Sequence, residues 1–112
     1  MDDLVRRLSE EQAVELDLRP ENSLKELVDA VARGYVHVRF PKTGTTLGVA
    51  IDPGESRLDA ARAGAGTIVV AGELTLNFER VYLRSEVDVA SFKGTGRLEH
   101  RATVDPWAAD DA

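Results

Sequence analysis

The sequence predicts an α+β domain: an antiparallel sheet of about five or six strands, with one main helix, residues 23–33, packed on one face. Residues 67–92 carry the densest strand-forming pattern, because apolar and polar side chains alternate there with a period of two. Such alternation gives a strand one buried and one solvated face, as in antiparallel sheets covered on one side. A helix pattern at 23–33 and a hairpin pattern at 35–51 supply further elements.

The alternation changes phase at Glu79 and Arg80. The apolar positions before the change are Leu74, Leu76 and Phe78, and those after it are Val81, Leu83, Val87 and Val89. An uncompensated slip of one residue would expose every buried side chain. We therefore expect a tight turn, a bulge or a sheet crossing at this point.

The helix at 23–33 has a start signal, an apolar stripe and a stop signal. Ser23 and Glu26 form an S-x-x-E capping box, and Gly34 supplies the C-terminal stop. The apolar residues at positions i, i+3, i+4 and i+7 are Leu24, Leu27, Val28 and Val31. This stripe is expected to lie across the sheet as part of the core.

Two shorter elements are predicted before this helix. Residues 2–8 place three apolar side chains at helical spacing, which indicates a short helix. Residues 12–19 alternate as a strand does, although a helix running through to Leu16 is the alternative. Pro20 ends either element, since proline cannot continue a helix and lacks the ladder donor of a strand.

The segment Tyr35–Phe40, the turn PKTGT and a second strand to Ile51 predict a hairpin. Pairing Phe40 with Thr45 gives one consistent apolar face. On the other face this register sets Tyr35 and His37 against Ala50 and Gly48. The two rings then either border a shallow pocket floor or cover the backbone that Gly48 exposes. For the pocket alternative, the candidate ligand-binding residues are Tyr35, His37, Arg39 and Arg84.

Two glycine-rich segments, 63–67 and 93–96, resemble phosphate-binding loops only in composition. A phosphate loop leads into a helix N-terminus, whereas strand-like residues follow both segments here. Both are therefore predicted to be turns. Just before the first, Ser56 with Asp59 predicts a cap for a short helix through Arg62, with an irregular loop as the alternative.

Composition narrows the class of protein. The 112-residue chain is long enough for one domain, residues 1–112, and it has no cysteine, which excludes disulfides and thiolate metal sites. Its start lacks an apolar signal-peptide run, and no stretch approaches the ~20 apolar residues of a membrane span. Arginine far outnumbers lysine and alanine is frequent, which indicates a GC-rich genome. We expect a bacterial, cytoplasmic protein without membrane attachment.

The acidic net charge of −6 lies in residues 1–29 and 105–112, whereas the middle of the chain is slightly basic. This distribution disfavours nucleic-acid binding, which requires a concentrated basic face. The acidic tail at 105–112 contains the single tryptophan, Trp107. The tail is either flexible, so that Trp107 docks on a partner, or ordered, so that Trp107 covers an edge of the core.

Candidate catalytic residues are few. The only histidines are His37 and His100, without the short spacing of a metal motif, so no metal or cofactor is expected. Acid–base catalysis would use His37 with Asp52 or Glu99, or use His100. No serine lies in a G-x-S-x-G context. Catalysis is therefore disfavoured.

Three functional hypotheses follow. The leading one is a non-catalytic protein-interaction or accessory and assembly module, whose partner is another protein or a second copy. An exposed edge strand would favour a homodimer. The alternatives are a small-molecule-binding domain and a small acid–base enzyme, each with a strand-face pocket around His37.

Overall fold

The computed structural model describes residues 2–103. Within these residues, three short helices pack against one six-stranded sheet. In chain order the elements are α1 (Asp3–Leu8), β1 (Gln12–Leu16), α2 (Leu24–Arg33), β2 (Tyr35–Phe40), β3 (Thr45–Ala50), α3 (Asp59–Ala63), β4 (Thr67–Leu76), β5 (Glu79–Asp88) and β6 (Lys93–Thr103). The strand order is β3-β2-β1-β6-β5-β4, and every pairing is antiparallel. The predicted α+β class and antiparallel sheet are confirmed.

The sheet curves until it is nearly barrel-shaped, which brings its edge strands β3 and β4 together. The backbone N–H of Asp52 donates to the Ala71 carbonyl at 2.7 Å. A β-carbon on Gly72 would collide with the carbonyl of Ala50, so the two edges touch through backbone. Ser56 covers the same edge, since its hydroxyl donates to the Ala71 carbonyl and accepts from the Ala71 N–H. The predicted cap of α3 by Ser56 is therefore wrong, although α3 itself forms.

Apolar side chains fill the concave side of the sheet. The largest fully buried side chains of the strands are Leu16, Phe40, Ile68, Leu83 and Leu98. Helix α1 adds Val5 and Leu8 to this core, and α2 adds Leu27 and Ala30. The core therefore joins strands and helices from the whole described chain.

Helix α2 begins and ends where the sequence predicts. The Ser23 hydroxyl accepts from the Glu26 N–H at 3.2 Å, and Gly34 ends the helix at φ +76°. The apolar stripe is only partly buried, and α2 packs against both β2 and α3. Leu27 is inside the core, whereas Leu24 and Val28 remain 41% and 39% exposed.

The β2–β3 hairpin has the predicted register, with Phe40 opposite Thr45 and His37 opposite Gly48. Two of the three alternatives expected near Glu79, a tight turn and a bulge-like register shift, are present. A two-residue turn joins β4 to β5, and a register shift follows at Arg80 and Val81 opposite β6. The turn, at residues 77 and 78, lies two residues before the predicted position. The side chain of Glu79 is therefore buried and that of Phe78 is exposed.

The prediction of a turn at residues 93–96 is wrong, because these residues form the start of β6. A β-carbon on Gly94 would overlap the carbonyl of Glu86 on β5. Glycine is needed here for close approach of two strands, rather than for chain reversal. The other glycine-rich segment matches its prediction, since Gly64 ends α3 at φ +74°. At 12–19, the strand alternative is confirmed for Gln12–Leu16.

Candidate functional site

The outer face of β2 carries three of the predicted ligand-binding residues. The rings of Tyr35 and His37 meet edge to face, with centroids 5.4 Å apart. The Tyr35 phenol occupies the space that a β-carbon on Gly48 would need. The ring therefore covers the glycine backbone, which is the covering alternative of the sequence analysis. Beside it, the Arg39 guanidinium pairs with Glu15 at 3.4 Å.

The fourth predicted residue, Arg84, lies on β5, separated from β2 by β6 and β1 in the sheet. The structure therefore does not bring it together with the β2 residues. Arg84 instead borders Tyr82, which is only 7% exposed although it lies on the outer face. The guanidinium carbons of Arg84 and Arg101 lie 4.9 and 4.7 Å from the ring centroid. Two cations thus cover one aromatic ring.

The hydroxyl of Tyr82 donates to the Asp52 carboxylate at 2.7 Å. This hydrogen bond holds the pKa of Asp52 below its ordinary value. Burial, followed by the same hydrogen bond, raises the pKa of Tyr82 to about 12. Sequence reasoning missed Tyr82, because alternation alone assigns it to the solvated face. The only sequence signal was an aromatic residue two positions before an arginine on the same strand face.

A single carboxylate, that of Glu99, binds the surrounding arginines. It accepts from Arg84 at 2.9 Å and Arg97 at 3.0 Å, and Arg101 lies 3.5 Å away. Arg84 and Arg97 are direct cross-strand neighbours, an arrangement that is unfavourable for like charges alone. Glu99 compensates this repulsion, and its hydrogen bond raises the pKa of Arg84.

An open depression of about 370 Å³ lies beside these arginines on the outer face of β4, β5 and β6. The residues around it are Glu11, Val69, Ala71, Arg84, Ser85, Glu86, Thr95 and Arg97. Both signs of charge are present, together with a hydroxyl and a small apolar floor. Both guanidinium groups at this depression are already paired, Arg84 and Arg97 with Glu99 and Arg97 also with Glu11.

The second histidine, His100, belongs to a cluster around Glu79, which is 3% exposed. The Glu79 carboxylate accepts hydrogen bonds from the Thr103 hydroxyl at 2.6 Å and from the Asp2 N–H at 2.8 Å. The Nε2 atom of His100 lies 3.2 Å from Oε1 of the same carboxylate. The Thr103 and Asp2 hydrogen bonds lower the pKa of Glu79 to about 2. This buried carboxylate joins the start of α1 to β5 and β6.

Helices α2 and α3 border a groove of about 280 Å³. Its lining consists of Val28, Val31, Ala32, Leu58, Asp59 and Arg62. Leu24 lies one helical turn before Val28, which extends the exposed apolar surface along α2. The floor of the groove is apolar, and the charged side chains of Asp59 and Arg62 on α3 form its rim.

The tip of the β4–β5 hairpin presents an aromatic ring to solvent. Phe78 is 59% exposed. Both turn residues have positive φ, +50° for Asn77 and +62° for Phe78. Glycine is the usual second residue of such a turn, so a bulky residue there holds backbone strain.

The predicted partner-binding residue Trp107 lies outside the described residues. Within residues 2–103, no three histidine, aspartate or glutamate side chains are grouped as a metal site would require. Each described helix is too short to cross a bilayer. No protein-family model matches this chain, and a search of curated proteins found no significant match.

Proposed function

We propose that this protein is a non-catalytic interaction module that binds a protein partner in the groove between α2 and α3. The observation that carries the proposal is the pair Leu24 and Val28, which are exposed one helical turn apart, with Val28 lining the groove. Isolated apolar side chains on a surface are ordinary. A contiguous apolar strip beside a concave floor is typical of a docking surface.

The groove has the composition of a small interface. Covering the exposed parts of Leu24 and Val28 contributes about 1 kcal/mol each, a fraction of the ~1.5–3 kcal/mol for full burial. Asp59 and Arg62 at the rim add specificity, because a partner must match both charges. Apolar centre and polar rim are the usual anatomy of protein interfaces.

Groove binding is favoured over addition of a strand to the β4 edge. Ser56 and Asp52 already occupy the backbone groups of Ala71, and Arg57 pairs with Val69. A partner strand would have to displace these contacts. Side-chain insertion into a groove requires no such displacement.

Site-specific photocrosslinking in the native cells tests this proposal. A crosslinking residue at position 28 is expected to capture a discrete protein, and Leu24→Asp is expected to abolish that capture. Asp29 provides the matched control, since it is exposed on the same helix but does not line the groove. Absence of an adduct at 28, or the same adducts at 28 and 29, would contradict the proposal.

The depression beside Arg84 and Arg97 favours small-molecule binding as a second candidate function. Two guanidinium groups, Thr95 and an apolar floor converge there. Native mass spectrometry after gentle isolation from the host is expected to detect a bound small molecule. Arg97→Gln should lose that adduct, whereas Arg39→Gln on β2 should retain it. If the wild-type protein carries no small-molecule adduct, this candidate function is contradicted.

A further inference from the structure

Helix α1 completes the apolar core beside the turn between β4 and β5, and few contacts fasten it there. We propose that α1 is a hinged lid, which is latched at Glu79, turns on residues 9–11 and opens as one unit while the sheet stays folded. Opening uncovers the apolar interior that Val5 and Leu8 fill in the closed structure, where both are 0% exposed. The lid involves neither the α2–α3 groove nor the depression on the outer face.

The latch lies at the start of the lid. The Asp2 N–H donates to the Glu79 carboxylate at 2.8 Å, and the Asn77 side-chain amide donates to the Asp2 carboxylate at 3.3 Å. Glu79 also accepts a hydrogen bond from the Thr103 hydroxyl on β6 at 2.6 Å. The acceptor of the latch is therefore held by the sheet and stays in place when the helix leaves.

Release and unfolding of α1 should be a single event. The helix has only six residues, Asp3–Leu8, too few for a helix to be stable by itself in water. Within residues 2–103, the one ion pair of α1 joins Asp3 to Arg6, so it is internal to the helix and does not hold it to the sheet. The closed position therefore depends on the latch and on the burial of Val5 and Leu8.

The hinge contains an unfavourable feature that opening relieves. Gln12, the first residue of β1, donates its side-chain amide to the carbonyls of Arg7 at 2.8 Å and Glu10 at 3.0 Å. This orientation leaves the Gln12 Oε1 atom buried without a hydrogen-bond partner among the described residues. Such an oxygen raises the free energy of the closed structure, whereas water can reach it once α1 moves away. Pairing of β1 with β6 begins at Gln12, so the movement is confined to the residues before it.

Thiol labelling with iodoacetamide tests the lid, because the chain has no cysteine of its own. Val5→Cys and Leu8→Cys place a reporter in the helix. Val38→Cys places a matched reporter in β2, where the valine is equally buried. The two lid thiols should react at similar rates, at least ~100-fold faster than the β2 thiol, and low urea should hardly change those rates. The β2 thiol should show the full urea dependence of global unfolding.

The latch is tested in the Val5→Cys background. Glu79→Gln should accelerate labelling about tenfold or more, because a hydrogen bond to a charged group is weakened, whereas Glu73→Gln at an exposed position should not change it. Equal labelling with and without Glu79→Gln would overturn the latch. Lid thiols with the urea dependence of the β2 thiol, or a reactive Val5→Cys beside a protected Leu8→Cys, would overturn the lid. If a cysteine variant fails to fold, hydrogen exchange of the wild-type amides of Leu8 and Val38 makes the same comparison, and equal protection would likewise overturn the lid.

Discussion

The phenol of Tyr82 donates a 2.7 Å hydrogen bond to the carboxylate of Asp52, thirty residues earlier in the chain. The contact fastens the loop after β3 to the outer face of β5, where the strand edges meet. It also places a buried aromatic ring on a face that alternation assigns to solvent. Arg84 and Arg101 complete the enclosure by covering the ring.

We predict that Tyr82 ionises only at high pH. Burial, followed by the Asp52 hydrogen bond, raises its pKa to about 12 from an ordinary value of 10.0. Since the folded pKa is raised, the resulting stabilisation is complete below pH 10 and is lost as the pH rises toward 12. Tyr35→Phe leaves Tyr82 as the only tyrosine, so phenolate absorbance reports it alone. A midpoint near 10 in protein that remains folded by circular dichroism would contradict the prediction.

Glu79 should make the fold sensitive to acid. Its pKa is lowered from 4.5 to about 2, first by the Thr103 hydroxyl and then by the Asp2 N–H. A depressed pKa contributes stability above pH 4.5, and that contribution is lost as the pH falls toward 2. Glu79→Gln should therefore lower the free energy of unfolding at pH 7, with a difference from wild type that shrinks between pH 4.5 and 2.

Denaturant unfolding at several pH values measures this difference. Glu73→Gln is the matched control, because Glu73 is an exposed carboxylate on the same hairpin. Its unfolding free energy should follow wild type throughout the acid range. If the unfolding free energies of Glu79→Gln, Glu73→Gln and wild type fall in parallel as the pH is lowered, the buried Glu79 carboxylate does not cause the acid sensitivity.

Phe78→Gly is expected to raise the free energy of unfolding by about 0.5 to 1 kcal/mol. The left-handed conformation costs a non-glycine residue about 1–2 kcal/mol, and the greater freedom of glycine in the unfolded chain offsets part of the gain. Gly44→Ala is the reciprocal control, since it adds the same backbone strain at φ +69° in open space. It should lower the stability by about 1 kcal/mol. A large loss of stability on Phe78→Gly in urea unfolding would show that the ring supports the fold.

Gly94→Ala should be among the most damaging small substitutions. The added methyl group would overlap the Glu86 carbonyl, so β5 and β6 would have to separate. We expect a loss of more than about 3 kcal/mol, because backbone cannot move aside as a flexible side chain does. Gly54→Ala, where the methyl group meets only the Asp52 side chain at 3.4 Å, should stay within about 0.5 kcal/mol of wild type. Equal urea midpoints for the two variants would refute this account.

Local sequence signals predicted the elements that local interactions form. The bounds of α2 follow from Ser23 and Gly34, whose capping contacts lie within four residues along the chain. The β2–β3 register follows from one short turn and one apolar face. Neither feature depends on residues elsewhere in the chain. The ends of α2 and the register of the β2–β3 hairpin could therefore be predicted from the sequence.

The candidate sites were predicted less well, because distant segments build them. His37 and Arg84 were grouped from their chemistry, yet β1 and β6 separate their strands. Tyr82 was not predicted to be a buried site residue, because groups that enclose it come from the loop after β3 and from β6. The groove between α2 and α3 depends on the packing of these two helices against each other, which leaves Leu24 and Val28 outside the core.

The sequence by itself determined the α+β class, the main helix and the hairpin between β2 and β3, since periodicity and capping act over a few residues. Tertiary structure alone decided the near-closure of the sheet, the burial of Glu79 and the exposure of Phe78. The physical reason is that side-chain burial depends on which strands become neighbours. A hairpin turn at residues 77 and 78, instead of 79 and 80, takes Phe78 out of β4 and places Glu79 in β5, where its side chain is buried.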